Sequence, residues 1–176
     1  MPGEIRIRRL DSLGEREVQG LGEVTIDCVE GGASIGFMHP LSRPKAEAFW
    51  RSSSASLASG DRIVLVAEDS AGRIVGTVSL IAAAFENQPH RADVAKMQVH
   101  RSARRLGVGA ALLTAVEEQA LLAGKTVLVL DTVTGSDAYR LYTRHGWQQC
   151  GEIPDFALWP DGRPCPTTVF FKSLTR

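Results

Sequence analysis

The sequence contains little cysteine, and the cysteines it has are not spaced for metal binding. Of its 176 residues, three are cysteines, at positions 28, 150 and 165, and no two of them form a C-x-x-C motif. An odd number of cysteines without that spacing argues against a disulfide framework or a zinc site and favours reduced thiols. The four histidines also lack the spacing of metal ligands. The sequence therefore predicts no metal site.

An excess of charge and a long apolar run are also absent. The chain has 20 basic and 20 acidic residues, so its formal net charge at pH 7 is zero. This balance does not favour nucleic acid or an anionic membrane as a partner. No apolar run approaches the roughly 18 residues of a membrane span, and the charged start MPGEIRIRRL lacks the apolar core of a signal peptide. Together with the reduced thiols, these absences predict a cytoplasmic protein.

The most informative stretch that is present runs from Asp93 to Leu113, DVAKMQVHRSARRLGVGAALL. Its apolar residues predict a buried strand from Val94 to Val99 and an amphipathic helix that starts near Val108. A helix N-terminus offers unpaired backbone N–H groups and a partial positive charge, and glycines let an anion approach the backbone. The loop between strand and helix carries Arg101, Arg104, Arg105, Gly107 and Gly109. This combination predicts a site for pyrophosphate or another polyanion.

Hydrophobic periodicity and turn residues predict the element order β-α-α-β-β-β-α-β-α-β-β, an α/β fold in which a mixed sheet has helices on both faces. Predicted strands cover 4–9, 63–68, 74–83, 94–99, 126–131, 147–153 and 168–174, and predicted helices cover 13–29, 42–59, 108–123 and 137–145. The proline-rich segment 154–166 is predicted to be a loop. Because no linker or repeat divides the chain, residues 1–176 are predicted to form a single domain.

Arg104, Gly107 and Gly109 have the form R-x-x-G-x-G. After an apolar strand, this pattern resembles the acyl-CoA-binding motif of the GNAT N-acetyltransferase superfamily, whose element order the chain also shares. The resemblance implies an acetyl-CoA-dependent N-acetyltransferase whose sheet splays between its central strands to admit the pantetheine, while loop amides hold the pyrophosphate of coenzyme A. The cofactor-binding residues implied in this way are Met97, Val99, Arg104, Arg105, Gly107, Val108, Gly109 and Ala110.

Three further segments narrow the resemblance. They are EGGASIGFM at 30–38, LDTVTGS at 130–136 and GEIPDFALWPDGRPCPTTVFFKSL at 151–174. Together they resemble the tabtoxin-resistance type of acetyltransferase, which acetylates an amino group of a β-lactam amino-acid toxin. The resemblance implies a small-molecule amine as acceptor and a substrate-side loop containing Ser34 and Phe37. Small amino compounds, toxin-like amino acids, aminoglycosides and peptide N-termini all stay open as acceptors, and so does a homodimer.

Three side chains are candidates for catalysis: Asp93, Asp131 and Tyr142. For a primary amine with a pKa of about 10.4, the neutral fraction at pH 7 is only about 10⁻³. The transfer therefore needs a base, which contributes a rate increase of roughly 10²- to 10⁴-fold. Asp93 and Asp131 are expected at opposite ends of parallel strands, with Asp93 nearer the base role and Asp131 nearer the acceptor. Tyr142 matches the family pattern A-x-x-L-Y-x-x-x-G-W, in which the tyrosine protonates the leaving thiolate, and Tyr139 is its alternative. The structural alternatives are a solvated aspartate at a strand end for Asp93, a turn aspartate that caps residues 132–136 for Asp131, and a core tyrosine for Tyr142.

Two other functions are weighed against this interpretation. Residues 32–36 spell G-x-S-x-G, the nucleophile elbow of serine hydrolases, which would make Ser34 a nucleophile. That motif needs a strand before it and a helix after it, and here a helical stretch precedes it. A binding module that kept the coenzyme A pocket but lost turnover is the other alternative. The segment Gly124-Lys125-Thr126 mimics the end of a P-loop, but it follows a helix and precedes a strand, the reverse of the required order.

Overall fold

A seven-stranded mixed sheet organises the chain in the computed structural model, which describes residues 4–175. The strand order is β1-β2-β3-β4-β5-β7-β6, and β4–β5 is the parallel pair among antiparallel neighbours. The strands are β1 (Arg6–Arg9), β2 (Arg62–Glu68), β3 (Ile74–Ala82), β4 (Arg91–Val99), β5 (Val127–Val133), β6 (Gln148–Leu158) and β7 (Pro164–Ser173). The helices are α1 (Glu15–Glu30), α2 (Arg43–Ser52), α3 (Ser54–Ser59), α4 (Val108–Leu122) and α5 (Asp137–Arg144). The predicted mixed α/β fold is confirmed.

The predicted helix over 42–59 is divided in two by the structure. Ser42 caps α2 by accepting a hydrogen bond from the Lys45 N–H, as predicted, and α3 ends at Gly60 with φ +83°. Between α2 and α3, the Ser52 hydroxyl donates to the Phe49 carbonyl at 2.6 Å. Serine hydroxyls that bond nearby carbonyls compete with the helical backbone ladder. The run of serines therefore interrupts the helix at Ser53.

The predicted loop over 154–166 is wrong. It is a long hairpin, because β6 continues to Leu158, β7 starts at Pro164, and the Trp159 N–H closes the turn on the Arg163 carbonyl at 2.8 Å. Prolines suggested a loop since they cannot donate to a strand ladder. Here Pro164 is the first residue of its strand, and Pro154 lies at a register shift of the edge strand β6, which are the places where strands tolerate proline.

Two apolar layers hold the helices against the sheet. On one face, α4 packs with Tyr142 and Trp147, which lie at the end of α5. The buried residues of α4 in this layer include Leu112, Leu113 and Val116. On the other face, α1 and α2 cover β2 and β3, and Trp50 is completely buried there. Different helices pack on the two halves of the sheet. Helix α1 contacts β3 and β4, whereas α5 contacts β5.

The sheet opens between β4 and β5. These strands pair over three residues only, Arg91 to Asp93 against Val127 to Val129, and then diverge. The predicted splay between the central strands is confirmed. Beyond Asp93, the edge of β4 that faces β5 is not paired with another described strand, so its backbone groups are free to bind a ligand. A bulge lies on the other side of this segment, where Lys96 and Met97 together oppose one residue of β3, and Lys96 has φ +54°.

Candidate active site

The loop predicted to bind a polyanion lies at the carboxyl end of β4, beyond the segment that pairs with β5. Gly107 precedes α4 with φ +80°, a left-handed conformation that favours glycine. The first intrahelical bond runs from the Ala111 N–H to the Gly107 carbonyl at 3.0 Å. The N–H groups of Val108, Gly109 and Ala110 therefore have no partner within the helix. Three amides at the positive end of a helix are suited to an anion.

The arginines of this loop divide into two groups. Arg101 is tied to α1, because its backbone N–H and its Nε donate to the Asp27 carboxylate at 2.7 and 2.9 Å. Arg104 and Arg105 are exposed, and Arg104 donates from Nε to the Val99 carbonyl at 3.3 Å. Neither of these two forms an ion pair with any described residue. Their charges are therefore available to an anionic ligand, while Arg101 positions the loop.

The second glycine of the motif has a packing role that the sequence did not reveal. A Cβ at Gly109 would lie 3.2 Å from Cδ2 of Leu141, on α5, and 4.0 Å from Cγ2 of Val99. A side chain at this position would therefore press against α5. The glycine allows α4 and α5 to approach, and its contribution to the anion site comes from its N–H.

The two candidate carboxylates lie on the same stretch of the sheet. Asp93 is the third residue of β4 and pairs with Val129, and Asp131 follows two positions later on β5. Paired residues and residues two apart share a face, so both carboxylates project to the same side of the opening. The expectation that they lie at opposite strand ends is wrong, because β4 begins at Arg91, three residues earlier than predicted.

These carboxylates have different partners. The Asp93 side chain is 44% exposed, and its Oδ1 lies 2.6 Å from Nη1 of Arg91. Asp131, on β5, is exposed and accepts a hydrogen bond from the Thr167 hydroxyl at 2.9 Å. Asp93 is thus held by a cation, whereas Asp131 retains acceptor capacity for an ammonium group.

Tyr142 is buried on α5, with 4% of its surface exposed, between the rings of Trp147 and Phe170 at centroid distances of 5.7 and 6.0 Å. Burial raises the pKa of Tyr142 well above its usual value, and the negative charge of Asp131 raises it further. Its hydroxyl has no hydrogen-bond partner among residues 4–175. The Tyr139 hydroxyl, in contrast, accepts from Gln149 Nε2 at 2.7 Å. Tyr142 is therefore a protonated donor that is free for a ligand.

The loop that follows α1 faces the β6–β7 hairpin. Ser34 donates to the Leu158 carbonyl at 2.7 Å, and the ring of Phe37 packs edge-on against Phe49 at 5.4 Å. In the described part of the chain, no histidine or carboxylate hydrogen-bonds to the Ser34 hydroxyl, so the hydrolase alternative gains no support. A cavity of about 230 Å³ lies between loop and hairpin. It is lined by Ser34, Gly36, Phe37, Met38, Ala157 and Leu158.

Lys96 is a site residue that the sequence analysis missed. Its Nζ donates to the Ile35 carbonyl at 3.1 Å and lies 5.2 and 5.9 Å from the ring centroids of Phe49 and Phe37. Burial lowers the pKa of Lys96, and the nearby positive charge of Arg62 lowers it further, while Asp131 acts in the opposite direction. The signal in the sequence was a lysine two residues after Val94, where regular strand alternation would give it the same face as that buried valine.

The described residues show neither a group of metal ligands nor a membrane-spanning helix. Within 4–175, no three His, Cys, Asp or Glu side chains are grouped so that they could hold a metal ion. In the same part of the chain, no helix combines the length and the apolar character that crossing a membrane requires.

Comparison with known proteins identifies the family. A family model described as an acetyltransferase (GNAT) domain matches residues 60–149, slightly more than half of the chain. An uncharacterised N-acetyltransferase encoded in the hisH-hisA intergenic region of Azospirillum brasilense is 31% identical over 130 residues, which are 73% of this chain and 75% of that protein. The chain belongs to the GNAT acetyltransferase family. The matched region contains the opening, the loop of Arg104 to Gly109 and both candidate carboxylates.

Solved structures of GNAT proteins share the fold over nearly the whole chain. The structure of yncA from Salmonella typhimurium with its cofactor acetyl-CoA has a TM-score of 0.78 and 21% identity, covering 98% of this chain and 95% of that one. A ribosomal-protein-alanine N-acetyltransferase from Brucella melitensis has a TM-score of 0.77 and 24% identity, covering 96% and 99%. At these identities the likeness shows the fold alone and does not decide the acceptor.

Proposed function

We propose that this GNAT protein transfers an acetyl group from acetyl-CoA to the primary amine of a small, amino-acid-like molecule. The observation that supports this most directly is the opening between β4 and β5, with unpaired amides at its mouth and candidate acid–base groups along it. The resemblance to tabtoxin-resistance acetyltransferases favours a toxin or antibiotic as acceptor. The cofactor would be bound by Met97, Val99, Arg104, Arg105, Gly107, Val108, Gly109 and Ala110.

The proposed reaction is direct attack by the acceptor amine. Asp131 binds the ammonium group, and Asp93 accepts its proton through a water molecule. The neutral nitrogen attacks the thioester carbonyl, and an N–C bond forms. As the C–S bond breaks, the second proton of the nitrogen passes to the leaving sulfur, so the products are the amide and the free thiol of coenzyme A. Backbone N–H groups of β4 near Met97 and Val99 polarise the carbonyl oxygen. The Tyr142 hydroxyl donates a hydrogen bond to the departing thiolate, which suits a phenol whose raised pKa keeps it protonated.

We also propose that residues 1–176 act as a single domain in the cytoplasm. The single sheet formed by the strands of residues 4–175 supports one domain, and three free thiols support a reducing compartment. Exposed Ile153, Phe156 and Leu158 on the edge strand β6 support the homodimer that the sequence left open.

A screen of amines would test the activity. Purified protein is incubated with acetyl-CoA and a panel of amino acids, aminoglycosides, small amines and peptides, and free thiol is measured over time. We expect turnover with small amino-acid-like amines. Binding of acetyl-CoA without thiol release for any amine would instead indicate a silent binding module. Labelling of Ser34 by a fluorophosphonate would indicate a hydrolase.

A further inference from the structure

We propose that Lys96 and Arg62 form an anion-binding pair in the acceptor site, so the acceptor carries a carboxylate or another anionic group besides its amine. This inference rests on the proposed acetyl transfer and specifies its substrate class. It assigns a role to two cations that neither the motif analysis nor the family comparison identified.

The bulge in β4 gives Lys96 its orientation. In a regular strand, Lys96 would share a face with Val94, which is buried against α4. Instead, φ is +54°, and the side chain contacts Ile35, Phe37 and Phe49 on the opposite face. A β-bulge re-aims a side chain in this way and is often found beside an active site. A Cβ built on Gly36, which lines the 230 Å³ cavity, lies 3.5 Å from Lys96 Nζ. The ammonium group is therefore at the wall of the acceptor side.

Arg62 reaches the same face from β2. The sheet register aligns Arg62 with Ile81 on β3 and with Asp93 on β4, so Arg62 and Asp93 lie in one row on one face. The Arg62 Nε donates to the hydroxyl of Ser56 at 3.2 Å. Burial lowers the pKa of Arg62, and its charge opposes protonation of Lys96. Two half-buried cations therefore lie on the same face of the sheet.

Neither cation has a carboxylate within ion-pair distance among residues 4–175, and this is the feature that points to a ligand. Two other half-buried cations, in contrast, are paired with carboxylates: Arg8 lies 2.8 Å from Glu68, and Lys172 lies 2.7 Å from Glu117. Charges withdrawn from water are ordinarily paired, because an unpaired charge loses hydration without compensation. The partners of these two cations are neutral, a carbonyl and two rings for Lys96 and a hydroxyl for Arg62, so an anion that arrives with the acceptor would supply the missing negative charge.

The surrounding groups support a zwitterionic acceptor. Asp131 affects Lys96 electrostatically but is not in ion-pair contact with it, and Asp93 is occupied by Arg91 at 2.6 Å. Asp131 is therefore available for the ammonium end, while the two cations bind the anionic end. Ser79, opposite Ala95 on the same face, is fully buried, and its hydroxyl has no hydrogen-bond partner among the residues that the structure describes. An unsatisfied donor beside the bulge is consistent with a polar ligand or water in this region.

The substrate class can be tested with pairs of acceptors that differ only in the carboxylate, in the presence of acetyl-CoA. Rates of thiol release are measured for L-amino acids and for the corresponding amino-acid amides, which lack the carboxylate. We expect the wild type to prefer the carboxylates in kcat/KM by about tenfold or more, the worth of a charge-assisted hydrogen bond. Lys96→Met and Arg62→Met should lose that preference while still acetylating the amides. Lys96→Arg should retain it, and Arg144→Met, a change of an exposed arginine on α5, should leave it unchanged.

A binding experiment keeps the test independent of turnover. The protein is saturated with coenzyme A, which occupies the polyanion loop, and is titrated with sodium acetate or inorganic phosphate against sodium chloride at equal ionic strength. We expect a rise in Tm that Lys96→Met and Arg62→Met lack and that Arg144→Met retains. An equal response in all variants, or an equal preference for acids and amides, would overturn the anion site. Absence of thiol release with every amine would overturn the acetyl transfer and leave this binding result to stand alone.

Discussion

The two tyrosines of α5 differ in the partners of their hydroxyls. Tyr142 is buried without a hydrogen-bond partner in the described chain, whereas Tyr139 accepts a bond from Gln149. We predict that Tyr142→Phe lowers kcat by about 10- to 100-fold, because the donor to the leaving thiolate is lost. The dissociation constant for acetyl-CoA should stay within about twofold. Tyr139→Phe is the matched control and should leave kcat near wild type. A weakened cofactor affinity with unchanged kcat would make Tyr142 a packing residue.

The two carboxylates are predicted to have separable effects. Asp93→Asn should lower kcat/KM most at neutral pH and recover as pH rises toward the amine pKa of about 10.4, because neutral amine then becomes abundant without a base. Asp131→Asn should mainly raise the KM for the acceptor. The measurement is a pH–rate profile for each variant. A profile for Asp93→Asn that runs parallel to wild type would rule out the base role.

Lys96 shows why residue-level prediction was incomplete. Asp93, Asp131 and Tyr142 were proposed because they lie in family-like patterns, and the structure places the two aspartates on the strands that flank the β4–β5 opening and Tyr142 on α5. Lys96 lies in the same strand, but regular alternation would direct it to the α4 face. The direction of its side chain depends on a bulge, which arises from pairing with β3 and has no local sequence signature.

At the scale of elements, the approach of α4 to the sheet depends on Gly76 in β3. A Cβ there would lie 3.0 Å from Cγ1 of Val108 and 3.1 Å from Cδ1 of Leu112. We predict that Gly76→Val lowers the free energy of unfolding by about 1 to 3 kcal/mol, as expected for overpacking. It should also weaken acetyl-CoA binding, because Val108 begins the helix whose amides form the anion site. Gly76→Ala should show a smaller effect of the same sign in urea unfolding. If Gly76→Val had the same free energy of unfolding as wild type, α4 could move away from the sheet without cost and the close contact would not be required.

A second element-level contact joins α1 to the cofactor loop through Asp27. Burial alone would raise the pKa of Asp27, but hydrogen bonds from the Arg101 N–H and side chain and the charges of His100 and Arg101 lower it below its usual 3.8. Since the folded pKa is depressed, this contact stabilises the protein above about pH 4, and the stabilisation is lost as pH falls through the folded pKa.

We predict that Asp27→Asn lowers the free energy of unfolding by about 1 to 2 kcal/mol at neutral pH. The difference from wild type should shrink as pH falls below about 4, because the wild-type carboxylate is then protonated. Urea unfolding at a series of pH values would measure this. A constant difference down to pH 2 would show that the charge of Asp27 is not the cause.

For the whole molecule, binding of acetyl-CoA is linked to folding. At a concentration 100 times its dissociation constant, a ligand adds about 2.7 kcal/mol, which corresponds to a rise in Tm of roughly 5 to 10 °C for a chain of this size. A double change of Arg104 and Arg105 to Met should reduce the shift, because these exposed cations flank the unpaired amides. Arg144→Met should preserve it. An undiminished shift in the double variant would place the cofactor elsewhere.

The sequence by itself determined the element order apart from the division of the helix over 42–59, the strand-loop-helix arrangement around Gly107, and the family. These features are local: hydrophobic periodicity, glycines before a helix and clustered arginines are written in neighbouring residues. It misjudged the hairpin over 154–166, because prolines are tolerated where a strand lies at an edge or begins, and edge position is a property of the assembled sheet.

Only the tertiary structure decided how the site is arranged. The register of β4 on β5 placed Asp93 and Asp131 on one face and ended the pairing after three residues. The bulge opposite β3 turned Lys96 toward Phe37, and the packing of α5 assigned Gly109 to a helix contact. Each of these outcomes depends on pairing between segments that are far apart in sequence. A one-residue change of register would reverse the face of every side chain while leaving the sequence pattern the same.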